Sequence, residues 1–416
     1  MTGRPESSGV GADNVLAMTG GFAGGIVSPF PRLRALLEPH QPGAPAIDLG
    51  IGEPKHQMPA FLIDKLVEAG KEFGKYPPMR GSEELLSSIA QWLGRRYDLA
   101  GKVDPARDIM VLNGSREGLF SAVFPATGRK LVKGGRPVVL LPNPYYPPYL
   151  AATMSVGAEP VFLPATKETG GLPDLEALAA RPDVLARTVA FYLCSPANPQ
   201  GAVASEAYLA KAIGLARQYD FILFSDECYC EVYTREPPPG ALEVAGRTSE
   251  GFKNVVAFNS LSKRSNVPGL RSGFVAGDGA FIQRLFDFRN ISAPHVPLPV
   301  QHASAALWSE EQHVTQSRTG YIEKFEVADK ILGHRYGYQR PGGGFLLWLD
   351  MSQFGGGENA AVTLWKRCGV RVVPGAYLAT DDGPLGNPGL DYVRVALVHD
   401  TATTREALER FVDVFS

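Results

Sequence analysis

At 416 residues, with 44% hydrophobic and 20% charged side chains, the chain is long enough for one large α/β domain or two domains around a buried core. Lys and Arg number 41 against 43 Asp and Glu, a net charge of -2, which excludes a polybasic surface for nucleic acid or anionic membrane. Cys194, Cys228, Cys230 and Cys368 form no CxxC pair and the seven histidines no HExxH frame, so reduced thiols, a cytoplasmic location and no metal are expected.

The first 25 or so residues are polar and Gly-rich, without a charged head before an apolar run, so no export signal is expected; the sequence also lacks an apolar run of ~18 residues that would span a membrane. Beyond them, apolar runs alternate with amphipathic segments, the pattern of βαβ units around a largely parallel sheet. Helices are predicted over Phe61 to Phe73, Glu83 to Tyr97, Ser205 to Gln218 and Phe281 to Arg289. Strands are predicted over Ile109 to Leu112, Pro137 to Leu141, Glu159 to Leu163, Thr188 to Leu193, Phe221 to Ser225, Val255 to Phe258 and Gly273 to Ala276, seven runs for one central sheet. Past the Pro-rich Ala293 to Pro299 the rhythm changes to a long amphipathic stretch and short strands at Gly344 to Leu349, Val370 to Val373 and Tyr392 to Ala396. The division expected is an N-terminal arm over 1–45, a large domain over 46–295 and a smaller α+β domain over 296–416.

Four segments could carry chemistry. Asn113-Gly-Ser-Arg-Glu117 lies between a strand and a helix, where the amides of Gly114 and Ser115 could meet a phosphate; many strand-to-helix turns look the same. Cys194-Ser-Pro-Ala-Asn-Pro-Gln-Gly201 follows a strand with a Pro- and Gly-fixed turn that holds the Asn198 amide, or is merely a turn. In Phe224-Ser-Asp-Glu-Cys-Tyr229, Asp226 ends an apolar strand, where open α/β sheets build ligand sites; it could equally cap the next turn. In the segment Asn259 to Gly273, Lys263 follows a strand and Arg271 comes eight residues later, an amine and a guanidinium among hydroxyls that suit a phosphorylated aldehyde. Alone, Lys263 reads as a solvated loop lysine.

Joint occurrence changes this. Gly50-Ile-Gly-Glu-Pro54, Tyr76, Gly114-Ser115, Pro144-Tyr-Tyr146, Asn198-Pro-Gln-Gly201, Asp226 with Tyr229, Lys263 with Arg271, and Arg394 occur in one order, and from about residue 25 onward the chain resembles the fold-type I, class I/II aminotransferases. The resemblance implies pyridoxal 5'-phosphate as cofactor, Lys263 as Schiff-base lysine and proton shuttle, and Asp226 on the pyridine nitrogen. It further implies Asn198 and Tyr229 on the ring hydroxyl and Tyr146 stacked on the ring. The phosphate would be met by Gly114, Ser115, Arg116, Ser260, Ser262 and Arg271, with Tyr76 donated across a homodimer. The substrate α-carboxylate would fork onto Arg394, helped by Asn198 and Gly52.

Leu49 to His56, Asn113 to Glu117, Ser260 to Gly269, Arg271 to Asp278 and Val373 to Ala379 look most like the N-succinyldiaminopimelate aminotransferases. That resemblance implies glutamate as amino donor and N-succinyl-2-amino-6-oxopimelate as acceptor in diaminopimelate and lysine biosynthesis. A distal carboxylate would need a second cation, and Arg80, Arg264 and Arg289 are the candidates by sequence. The alternatives are aspartate, alanine or aromatic transamination and a lyase on the same cofactor. A cofactor-sensing regulator lacks its helix-turn-helix here, and a nicotinamide enzyme lacks the third glycine after Gly50-Ile-Gly52.

Overall fold

The computed structural model describes residues 28–381 and 386–416. The Gly-rich segment 1–27, most of the expected arm, lies outside the described residues. In chain order the strands are β1 (Ile47–Asp48), β2 (Ile109–Leu112), β3 (Val138–Asn143), β4 (Glu159–Pro164), β5 (Thr188–Cys194) and β6 (Ile222–Asp226). They continue with β7 (Val255–Ser260), β8 (Gly273–Gly277), β9 (Leu346–Asp350), β10 (Val370–Arg371), β11 (Val373–Pro374) and β12 (Tyr392–Ala396).

Seven strands form the central sheet, in the order β2-β8-β7-β6-β5-β3-β4. All run parallel except β8, which is antiparallel to both β2 and β7. Alternation splits the side chains between two layers. Val111, Leu140, Phe191, Leu223 and Ala257 enter one core, while Met110, Leu141, Tyr192, Phe224 and Phe258 enter the other. Burial on both faces is why these strands read as continuous apolar runs.

A second body carries the three-stranded antiparallel sheet β11-β12-β9 and the parallel pair β1-β10. The single strand expected over Val370 to Val373 is two strands in different sheets: β10 pairs with β1, and β11 pairs with β12. Pro374 has no amide proton for a ladder, which suits β11 to its place at a sheet edge.

The cores divide the chain elsewhere than at 46 and 296. Ile47 and Leu49 belong to the small core with Val370, Val372 and Phe411, because β1 has its partner there. The helix Pro29–Leu37 packs Leu33 and Leu37 beside Trp365 and Tyr377 in the same body. The helix Leu298–Ser309 stays with the large core, where Ala303, Leu307 and Trp308 join Ile89, Trp92 and Phe274. The physical reason is complementary packing against the helix Glu83–Tyr97, with Trp92 and Trp308 rings 4.8 Å apart and the buried Gln301 amide accepting from Ser82 N at 2.6 Å. The crossing to the small body runs along the helix Gln312–Leu332, whose second half sets Phe325, Val327, Ala328 and Leu332 into the small core. No helix among the described residues is long and apolar enough to cross a membrane.

Candidate active site

Parallel strands bring their carboxyl ends to one edge of the sheet, and the sequence-marked residues gather there. β6 ends at Asp226, β7 ends at Ser260, and the turn after β5 carries Asn198. The facing sheet of the small body supplies Arg394 from β12.

Asp226 is 5% exposed. Its carboxylate accepts the Tyr149 hydroxyl and, at 3.2 Å, the Cys228 amide. Burial pushes its pKa up, and those two bonds pull it back down. Tyr149 is fully buried and stacks on Tyr192 at 4.5 Å, so its hydroxyl is held in place.

Lys263 stands in the helical turn Leu261–Arg264 that follows β7. Its amine donates to the Gly52 carbonyl and lies 5.4 Å from the centroid of the Phe345 ring. Burial lowers its pKa to about 8; Arg394 and Arg116 add to that lowering, while Cys228 and Glu53 oppose it.

Arg394 is 6% exposed. Its Nη2 donates to Gly50 O at 2.7 Å and its Nη1 to Asn198 Oδ1 at 3.3 Å, while Nε has no partner among the described residues. A buried guanidinium with an unpaired N–H and no carboxylate beside it is a receptor for an anion. Tyr229 borders it, with its ring edge-on to Phe345 at 5.4 Å and its pKa raised by burial.

The remaining residues form a cradle. Arg271, at φ 53, reaches back to Asn113 O at 3.2 Å. Gly114 permits this: at φ 82, a Cβ there would fall 2.2 Å from the Arg271 Nη2. Ser260 Oγ bonds the Ser262 hydroxyl at 2.9 Å, and the Cys228 thiol donates to Ser115 Oγ at 2.9 Å. Arg116 donates through Nε to the Tyr146 hydroxyl at 2.7 Å.

Tyr76, 99% exposed, takes no part in this cluster within its own chain. The three arginines considered for a distal carboxylate are engaged elsewhere. Arg289, 1% exposed, is held by both Glu117 carboxylate oxygens and by Val111 O. Arg264 bonds Leu307 O at 2.6 Å and Glu311 at 2.7 Å, and Arg80 bonds Gln283 at 2.7 Å. Sequence reasoning missed Tyr149, Cys228 and Phe345. A tyrosine three residues past Tyr146, one helical turn further on, is the one signal that could have found the first.

The model of the family "Aminotransferase class I and II" matches residues 44–411. The chain belongs to the class I and II aminotransferases. A relative from Syntrophobacter fumaroxidans named LL-diaminopimelate aminotransferase is 32% identical over 88% of this chain and 91% of its own. A solved aminotransferase from Neisseria meningitidis is 38% identical with a TM-score of 0.87, covering 94% of this chain and 98% of that one. A solved protein of Thermus thermophilus described as "probable N-succinyldiaminopimelate aminotransferase" is 25% identical, TM-score 0.80, over 93% and 100% of the two chains.

This aminotransferase is pyridoxal-phosphate dependent and works on amino and 2-oxo acids. The residues present fit that cofactor: a buried carboxylate, an amine lowered to about 8, and a cradle of hydroxyls with the guanidinium groups of Arg116 and Arg271, against the second of which a side chain at Gly114 would intrude.

Proposed function

We propose that this aminotransferase exchanges an amino group between glutamate and a substrate of the diaminopimelate class, acting in the cytoplasm as a homodimer with sites at the subunit interface. The observation that carries the chemistry is one strip of backbone: Gly50 O receives Arg394 and Gly52 O receives Lys263. A carboxylate anchor and a base therefore address one end of one substrate.

Pyridoxal phosphate, when bound, supplies an electron sink for the pair released at the substrate Cα. Lys263 would hold the cofactor and then move the Cα proton, a role that its pKa, lowered by burial to about 8, suits. Asp226 would partner the ring nitrogen, where the Tyr149 and Cys228 bonds favour its ionised form against the effect of burial. Asn198 and Tyr229 would meet the ring hydroxyl, and Tyr146 would face the ring. Gly114, Ser115, Arg116, Ser260, Ser262 and Arg271 bind the phosphate with Tyr76 of the partner subunit. Arg394 takes the α-carboxylate through its planar fork, with Gly52 and Asn198 beside it. The domain reading is a large cofactor-binding body and a smaller one carrying Arg394.

The substrate class is supported by the relatives named for diaminopimelate, with both the free and the succinylated substrate in those names. The homodimer is supported by exposed apolar side chains that ordinarily find cover: Ile63 and Val67 one turn apart on one helix, with Phe73 and Ile291.

The test is a titration of the purified, cofactor-loaded protein followed by its visible absorbance. The donors are LL-diaminopimelate, N-succinyl-LL-diaminopimelate, glutamate, aspartate, alanine and phenylalanine, with Lys263→Ala as control. Loss of the band with glutamate and either diaminopimelate donor at far lower concentrations than with the others supports the proposal, and the better of the two decides between them. A preference for aspartate, alanine or phenylalanine overturns the substrate class.

A further inference from the structure

Beyond the Gly50 to Gly52 strip runs a chain of buried and half-buried polar groups that the proposed mechanism does not use. Asn266, three residues past Lys263, donates its amide to Ser317 Oγ at 3.1 Å. Ser317 Oγ lies 3.2 Å from His56 Nδ1, and His56 Nε2 lies 2.6 Å from the amine of Lys324. Lys324 also donates to Leu397 O at 3.2 Å, three residues past Arg394. The chain thus links the loop of Lys263, the segment that follows the strip, and the strand of Arg394.

Three features mark this as built for position. Lys324 is 1% exposed and touches no carboxylate among the described residues; Asp400 and Glu323 act on it only through space. An apolar side chain of its length would avoid the cost of burying that charge. His56 accepts from Lys324 at Nε2, which fixes the proton on Nδ1 facing Ser317, so each nitrogen has one role. The imidazole is seated against Gly320, in the middle of a 21-residue helix, where an added Cβ would come within 3.1 Å of His56 Cε1. A glycine in the middle of a helix is less favourable than an alanine, and here it makes room for one ring. Rings carry the contact onward: His56 to Tyr321 at 4.3 Å, Tyr321 to Phe345 at 5.1 Å, and Phe345 to the Lys263 amine at 5.4 Å.

We propose that His56 and Lys324 are a positioning pair for transamination, fixing the Gly50 to Gly52 strip so that its two carbonyls keep the Lys263 amine and the Arg394 guanidinium in working register. The inference rests on the roles given above to Lys263 and Arg394. Neither member of the pair touches substrate.

The test compares Lys324→Met, His56→Ala and the conservative His56→Asn as cofactor-loaded enzymes with glutamate as donor. Lys324→Met and His56→Ala are expected to raise KM about tenfold, the cost of one lost bond to a charged group, with kcat within about twofold. They also move the pH midpoint of the bound cofactor's visible absorbance, while His56→Asn restores most of both. A lowered melting temperature with KM and the midpoint unchanged in both variants shows a merely structural cluster and overturns the proposal. So does equal damage by His56→Asn and His56→Ala. Failure of the underlying reading shows separately: borohydride reduction followed by mass analysis should fix the cofactor on Lys263, and label on another residue would refute that role whatever the pair does.

Discussion

Asp226 illustrates how closely one neighbour sets a group's work. The Tyr149 hydroxyl lowers the pKa of a carboxylate that burial raises, so Tyr149→Phe removes a lowering influence and the pKa climbs. If the ionised form is the working one, activity should disappear at a higher pH as the solution is made acid. The acid limb of the kcat profile is therefore expected to move upward in Tyr149→Phe, with the alkaline limb in place; an unmoved acid limb would mean that the bond does not govern the carboxylate. At this scale the sequence was legible where a residue stands in a turn of fixed composition, as Asn198, Asp226 and Lys263 do. For Tyr149 it offered only the spacing from Tyr146 and for Cys228 nothing, because their contacts with Asp226 and Ser115 come from segments that meet in space. The arginines show the converse. Nothing in the local sequence of Arg289 reveals that Glu117, distant in the chain, already holds it.

Among elements, the central strands were legible because burial on both faces forces an unbroken apolar run. The reversed direction of β8 was not, since a buried antiparallel strand and a buried parallel one have the same composition. A boundary at 296 groups the helix Leu298–Ser309 with the small body, whereas it packs in the large core, for a related reason: an apolar face does not declare which partner it meets. Its true partner makes a prediction. Trp308 packs among Trp92 and Phe274 in the large core, at ring distances of 4.8 and 5.0 Å, so Trp308→Ala should cost about 3–5 kcal/mol. Denaturant unfolding of the cofactor-free protein, with the midpoint converted through its slope, measures this. A loss below ~1 kcal/mol would place the side chain outside the core energetically.

For the whole molecule, the reading of shared active sites has a direct consequence. If Tyr76 serves the neighbouring subunit, then mixing inactive Lys263→Ala with impaired Tyr76→Ala, unfolding and refolding them together, produces hybrids in which one site carries both defects and the other neither. Activity should reappear in the mixture, and the hybrid isolated by a differential tag should account for it. A mixture no better than its parts would show that each subunit completes its own site. A different consequence follows from the pairing of Ile47 with Val370. Proteins emerge from the ribosome amino end first, and domains tend to fold as they emerge. The large core can close once Trp308 has appeared, but Leu33, Leu37 and Ile47 must wait, uncovered, until synthesis has passed residue 370. A message cut short between those points would yield a finished sheet trailing an adhesive apolar leader, the kind of product that cellular quality control exists to remove.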